Sequence, residues 1–190
     1  LMFPVTVFIL IGGQSKRFGL PKWKVMIENK TVLDRMWNSC SNFKNRFIVG
    51  KEKPLDLDKP FLQDNLKVSA PINGLYTALN NTTTDWILLL SCDLPLINSN
   101  LLKKIWNLNS TDIDCIIPLA NGKTQVTCAF YHKDILSVMK SQIREKKYSL
   151  HSLAKKINTD FVEFGDDKRF WNMNTKKDYE EIIKYATDTD

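Results

Sequence analysis

Val5 to Ile11 reads Val-Thr-Val-Phe-Ile-Leu-Ile, a nearly unbroken β-branched and aromatic run that stops at Gly12-Gly13. Apolar residues at successive positions predict a strand buried on both faces, the habit of parallel sheets. Four shorter stretches have the same character: Arg46 to Val49, Trp86 to Leu90, Asp114 to Ile117 and Asp160 to Phe164. Between them the apolar period becomes helical. Val32, Leu33, Met36 and Trp37 share one helix face, as do Leu101, Leu102, Ile105 and Trp106,. Near the end, Tyr179, Ile182, Ile183 and Ala186 follow the same spacing, and Thr175 with Asp178 three residues on predicts the N-cap of that helix,. Strands alternating with helices predict a three-layer α/β/α fold around a mostly parallel sheet. Lys51 to Pro60, with two prolines and alternating charge, reads as a surface loop, and residues 187–190 as a frayed end,. With no repeat and no long linker, residues 1–190 read as a single domain.

Composition narrows the class. Of 190 residues, 43% are hydrophobic and 25% charged, with 7 Gly and 7 Pro, proportions that exclude collagen-like, low-complexity and largely disordered chains,. The net charge of +6 suits an anionic partner: a nucleotide, a nucleic acid or a phosphorylated small molecule,. The tryptophans, at 23, 37, 86, 106 and 171, are scattered without interleaved basic residues, which argues against a stacking platform for nucleic acid,. Cys40, Cys92, Cys115 and Cys128 form no C-x-x-C pair, which argues against zinc or dithiol redox chemistry,. Three of them lie in or beside strand-like runs, where a free thiol behaves as a small hydrophobe and a reducing cytosol fits. The apolar start has neither a basic n-region nor a small-residue cleavage site, and it is too short to span a bilayer,. The expectation is a cytoplasmic protein with no membrane partner.

The chemistry concentrates where strands end. Leu10-Ile11-Gly12-Gly13-Gln14-Ser15-Lys16-Arg17-Phe18-Gly19-Leu20-Pro21-Lys22 follows the first strand directly. Its glycines let backbone amides turn toward an anion, and Lys16, Arg17 and Lys22 supply positive charge. The spacing matches neither a Walker A loop nor a G-x-G-x-x-G fingerprint. Asp93, in Leu88-Leu-Leu-Ser-Cys-Asp93-Leu-Pro95, stands at the end of another predicted buried strand, where open α/β sheets bind ligands,. Gln63-Asp64 precedes Ser69-Ala-Pro-Ile-Asn-Gly74, a second acidic residue shortly before a glycine. Asn172 and Asn174, two apart in Phe170-Trp-Asn-Met-Asn-Thr175, point the same way if the segment is extended,.

In that order these motifs resemble the nucleotidyltransferases of the glycosyltransferase-A type, and more narrowly the molybdenum cofactor guanylyltransferases, from Val7 to about Tyr185. The resemblance implies a Rossmann-like nucleotidyltransferase fold and transfer of GMP from GTP to the terminal phosphate of molybdopterin. It implies Arg17, Lys22 and Asp93 as catalytic residues, with Mg²⁺ on Asp93. For the nucleotide it implies Leu10, Ile11, Gly12, Gly13, Lys22, Asp64, Gly74 and Asp93, and for the acceptor Asn172 and Asn174. Other molybdenum cofactor biosynthesis or apoenzyme chaperone proteins are the implied protein partners. Lys146, Lys147 and His151 lie in a region where such enzymes carry basic residues near the acceptor. Three departures stand out: Ala70 replaces a common glycine, Val126 replaces proline in Gln125-Val-Thr-Cys-Ala-Phe-Tyr131, and Gly50 replaces an asparagine that contacts the nucleotide. Cytidylyl transfer to molybdopterin, or nucleotidyl transfer to a sugar or alcohol phosphate, is the alternative within the same chemistry, and Gly12-Gly13 favours guanine.

Overall fold

A computed structural model of the chain describes residues 2–12 and 19–187. In order the elements are β1 (Phe3–Leu10), a 3-10 turn at Lys22–Lys24, β2 (Met26–Ile27), β3 (Lys30–Thr31), α1 (Val32–Ser39), β4 (Phe43–Gly50), β5 (Phe61–Gln63) and α2 (Pro71–Asn81). There follow β6 (Trp86–Ser91), α3 (Ser99–Trp106), β7 (Cys115–Ala120), β8 (Lys123–Thr124), β9 (Cys128–His132), α4 (Leu136–Arg144), α5 (Leu150–Ala154), β10 (Thr159–Gly165) and α6 (Lys176–Thr187).

The apolar run of β1 is explained by its neighbours: it pairs in parallel with β4 on one side and β6 on the other. The sheet order is β10-β7-β9-β6-β1-β4-β5, with β8 added beside β7. Along that main path β9 runs against its neighbours β6 and β7, and the pairings not involving it are parallel. Alternate side chains of β1 feed two cores. Val5, Val7 and Ile9 pack in one cluster with α1, α3 and α6, while Phe8 and Leu10 pack in the other with α2, α4 and α5. This is the expected three-layer α/β/α arrangement. Thr6 is buried in the first strand, and its polar groups are met by Thr84, whose Oγ1 accepts the Thr6 N–H at 3.1 Å and lies 2.9 Å from Thr6 Oγ1.

From β1 the chain moves outward to β4 and β5, then returns to the other side of β1 as β6. The point where strand order reverses lies between β1 and β6, and crevices outside the carboxyl ends of such strands are where open α/β sheets take ligands. The two ends are tied together there: the Cys92 N–H donates to the Leu10 carbonyl at 3.2 Å.

The five strands predicted from the apolar runs are present with ends shifted by a few residues, and the three periodic segments are α1, α3 and α6. The capping pair at the last helix is reciprocal. Thr175 Oγ1 accepts the Asp178 N–H at 3.1 Å, and Asp178 Oδ2 accepts the N–H groups of Thr175 and Asn174 at 2.7 and 2.8 Å. Residues 51–60 form no helix or strand, as expected of a loop, yet Leu57 within it is buried against the core. All four cysteines are buried as free thiols, and burial pushes Cys40 and Cys92 up to about 12 and raises Cys115 and Cys128 as well. Among the described residues no helix is long and apolar enough to cross a membrane.

Candidate active site

At the carboxyl ends of β1 and β6 lies a cavity of about 260 Å³ whose walls include Leu10, Gly12, Asp64, Gly74, Ser91 and Asp93. Asp93 reaches it because β6 ends at Ser91, and the chain then turns with the Leu94 N–H donating to the Ser91 carbonyl. Its carboxylate receives the Lys22 ammonium at 2.8 Å, and the same Nζ donates to Asn174 Oδ1 at 2.9 Å. Residues far apart in sequence thus share one cation. The backbone reinforces the join, since the Met173 N–H donates to the Asp93 carbonyl at 2.8 Å. Lys22 is held by the 3-10 turn that begins with it and places the adjacent Trp23 in the core. Arg17 and Gly13, named above with Lys22 and Gly12, lie outside the described residues.

The side of the cavity away from Asp93 is built by the loop between β5 and α2. Asp64 follows β5 directly, with its N–H donating to the Gly50 carbonyl at 2.8 Å. Its Oδ1 is buried and has no hydrogen-bond partner among the described residues. Burial raises the Asp64 carboxyl above its ordinary range, partly countered by the Lys51 charge and a Thr77 hydrogen bond. Such a buried, unsatisfied acceptor is what a ligand's N–H groups would complete. Next, Asn73 holds the loop in shape. This buried side chain donates to the carbonyls of Leu66 and Val68 at 2.7 and 3.0 Å and accepts the Leu66 N–H at 2.9 Å. Its role was not legible in the sequence, where an asparagine inside a helix carries no signal of a clamp.

The glycines here divide by purpose. At Gly12 a Cβ would meet none of the described residues within 4 Å. At Gly74 it would stand 2.3 Å from Leu10 Cδ2, so the room glycine provides there is filled by Leu10, a reason different from the close approach to a ligand that the motif suggested. Gly50, at the position of the missing asparagine, is buried, and a Cβ there would press on Ile11 Cγ1 at 3.2 Å. The Ile11 N–H is already bound to the Val49 carbonyl at 3.0 Å. Ala70 is the N-cap residue of α2, with no side-chain cap bond and Pro71 at the first helical position.

A second cavity, of about 270 Å³, has in its wall Asn174, the other hydrogen-bond partner of Lys22. Asn172 and Asn174 line it together, with Asn121, Lys123, Gln125 and Trp171 among the other walls. Asn172 and Asn174 thus lie on one cavity. Lys123 and Gln125 are polar members of its wall, Gln125 standing three residues before β9 begins. Lys146, Lys147 and His151 are not among these walls. Lys147 pairs with Glu145 at 2.9 Å, and His151 Nδ1 lies 2.9 Å from Thr124 Oγ1. Asp178, also in this cavity, is pulled up by burial but held below its usual value overall by the backbone N–H groups of Asn174 and Thr175, the Thr175 hydroxyl and the Lys22 charge.

The family and its relatives define the class: the chain is a nucleotidyltransferase. Residues 7–159 match the MobA-like NTP transferase domain, and the chain belongs to that family. It is similar to the probable molybdenum cofactor guanylyltransferase of Aquifex aeolicus, 33% identical over 187 residues that cover 94% of this chain and 90% of that one. It is also similar to the molybdenum cofactor guanylyltransferase of Campylobacter jejuni (strain RM1221), 29% identical with 92% and 93% covered. In fold it matches the molybdopterin-guanine dinucleotide biosynthesis protein A of Archaeoglobus fulgidus, with a TM-score of 0.81 at 18% identity, covering 97% and 100% of the two chains. The same fold recurs in 2-C-methyl-D-erythritol 4-phosphate cytidylyltransferase of Thermus thermophilus, with a TM-score of 0.71 at 13% identity over 96% and 98%.

Proposed function

We propose that this nucleotidyltransferase moves GMP from GTP to the terminal phosphate of molybdopterin, forming molybdopterin guanine dinucleotide and releasing pyrophosphate. The observation that carries the reading is Lys22, which ties Asp93 in one cavity to Asn174 in the other and so marks the line along which two anionic substrates would meet. Relatives named for guanylyl transfer support the choice of base and acceptor, as does the unsatisfied Asp64 carboxylate, which suits the N1–H and N2–H of guanine.

In this reading a terminal phosphate oxygen of the acceptor attacks the α-phosphorus of GTP, the bond to the β-phosphate oxygen breaks, and pyrophosphate leaves. The nucleophile is already an anion and needs no side-chain base. The chain's contribution is alignment and charge neutralisation. Lys22 would neutralise phosphate oxygens as charge moves to the leaving group, and Arg17 would share that task. Asn172 and Asn174 would hold the pterin, Lys123 adding positive charge for the acceptor phosphate. The donor set also fits Mg²⁺, which favours one or two carboxylates plus substrate phosphates over an all-protein cage. Asp93 offers one half-exposed carboxylate whose Oδ1 already attracts a cation, the Lys22 ammonium. Bound there, Mg²⁺ would draw negative charge from the phosphate oxygens.

Incubating the protein with GTP, Mg²⁺ and molybdopterin, and detecting the dinucleotide by mass alongside released pyrophosphate, tests the reading. Product with GTP and not with CTP is the expected result. Product with CTP alone would move the activity to the cytidylyl alternative, and no product with either would overturn it.

A further inference from the structure

The base side of the nucleotide cavity contains a charged group that no motif singled out. β4 and β5 are parallel with Gly50 opposite Gln63, so the residues that follow, Lys51 and Asp64, continue side by side from adjacent strands. In-register neighbours on parallel strands share a face, and both line the same cavity, next to Ser69 and Val68. A lysine and an aspartate so placed would be expected to neutralise each other. The Lys51 charge does act on Asp64, yet among the described residues no ion pair joins them: Lys51 Nζ donates to Ser69 Oγ at 3.3 Å, while Asp64 Oδ1 has no hydrogen-bond partner there. The cavity wall therefore presents an ammonium donor beside a carboxylate acceptor, with no hydrogen bond between them to close off either group.

That order of groups has a match in the purines. Guanine carries an O6 acceptor directly beside its N1–H and N2–H₂ donors, and a lysine ammonium is a good donor to O6. Adenine puts an amino group where O6 would be, and cytosine reverses the order along its pairing edge. Resting on the guanylyl reading above, we infer that Lys51 is a specificity-determining residue that donates to guanine O6 while Asp64 accepts from N1 and N2. It would take over, from the next position, the side-chain contact that Gly50 cannot make. A side chain at position 50 would have to displace Ile11 or Phe61, 3.2 and 3.4 Å from a Cβ there, so recognition has shifted along the strand end.

The test separates base from phosphate contacts. Lys51→Met keeps the stem and removes the charge at an exposed position, so folding is checked simply by an unchanged melting temperature. Binding of GTP, ITP, ATP and CTP, each with Mg²⁺, is then measured by calorimetry for the wild-type protein, Lys51→Met and Lys51→Arg. GTP and ITP both have O6, and both should bind about tenfold more weakly to Lys51→Met, as loss of one charge-assisted hydrogen bond implies. ATP and CTP should change by less than about twofold, and Lys51→Arg should restore most of the GTP affinity. Equal weakening of all four triphosphates would place the ammonium on the phosphates, and unchanged GTP affinity would remove it from recognition; either overturns the inference. A wild-type protein that does not prefer GTP to CTP overturns the guanylyl reading itself, a distinct result seen before any variant is made.

Discussion

Lys22, Asp93 and Asn174 lie 71 and 152 residues apart along their two hydrogen bonds, and one ammonium joins all three. Lys22→Ala and Asp93→Ala should each reduce pyrophosphate release by about 100-fold or more, the usual consequence of removing an electrostatic contact from a reacting centre. The melting temperature of Asp93→Ala should move little, because Asp93 is 38% exposed and exposed pairs typically contribute about 1 kcal/mol or less to stability,. Turnover within tenfold of wild type in either variant would contradict the assigned roles. Asp64 poses the opposite balance. Its carboxyl is raised in the folded protein, chiefly by burial, so the fold binds that proton more tightly than the unfolded chain does. The site therefore costs nothing at low pH, and its cost appears as pH rises from the unfolded value through the folded one. Asp64→Asn should raise the melting temperature at pH 7 relative to wild type, with the difference vanishing near pH 3, while GTP binding weakens. A variant less stable at pH 7 would contradict the account of a strained, ligand-seeking carboxylate. Asp93 was legible at the end of an apolar strand run, since sheets of this kind display ligands there. The Lys22 bridge was not, because no local pattern links a turn after the first strand to an asparagine before the last helix.

Helix α2 shows how an element can hold a site through residues that touch no ligand. Asn73 makes three hydrogen bonds to the Leu66–Val68 backbone, and Thr77 accepts the Asn65 N–H at 3.3 Å, so one helix face holds the loop that follows Asp64. Asn73→Ala should destabilise the fold by about 1–3 kcal/mol, since buried backbone groups lose their partners. It should also weaken GTP binding without comparable loss of kcat; urea denaturation with steady-state kinetics checks both. At Gly74 a methyl group would drive Leu10 from its place, at a cost of about 1–3 kcal/mol for overpacking,. These roles depend on where the loop returns, which periodicity does not report. The same reason hides α4: its inner face includes buried Gln142, which donates to the Ser149 carbonyl at 3.0 Å, so a polar residue interrupts the apolar stripe. β5 is three residues long and only partly buried, too short to stand out from its loop. By contrast α1, α3 and α6 declared themselves through uninterrupted apolar stripes, and α6 through its Thr175–Asp178 cap.

At the scale of the molecule, a mostly parallel sheet with helices on both faces carries two cavities whose wall residues Asp93 and Asn174 are joined by Lys22, and the family match covers residues 7–159. The cysteines belong to that scaffold and not to its chemistry: buried and raised in pKa, they should resist alkylation by iodoacetamide at pH 7 until the protein unfolds. The alternation of strands and helices made the layers readable, while the antiparallel β9 between β6 and β7 was not, since an amphipathic or apolar strand looks the same in either direction,. The central claim is that the cavity at the switch point is built for guanine. Thermal unfolding with Mg²⁺ and, separately, GTP, CTP, ATP and UTP tests it most directly, because a ligand at about 100 times its dissociation constant stabilises the fold by about 2.7 kcal/mol. The account predicts a clear upward shift with GTP and a much smaller one with the other three. A larger shift with CTP, or equal shifts with all four, would contradict it.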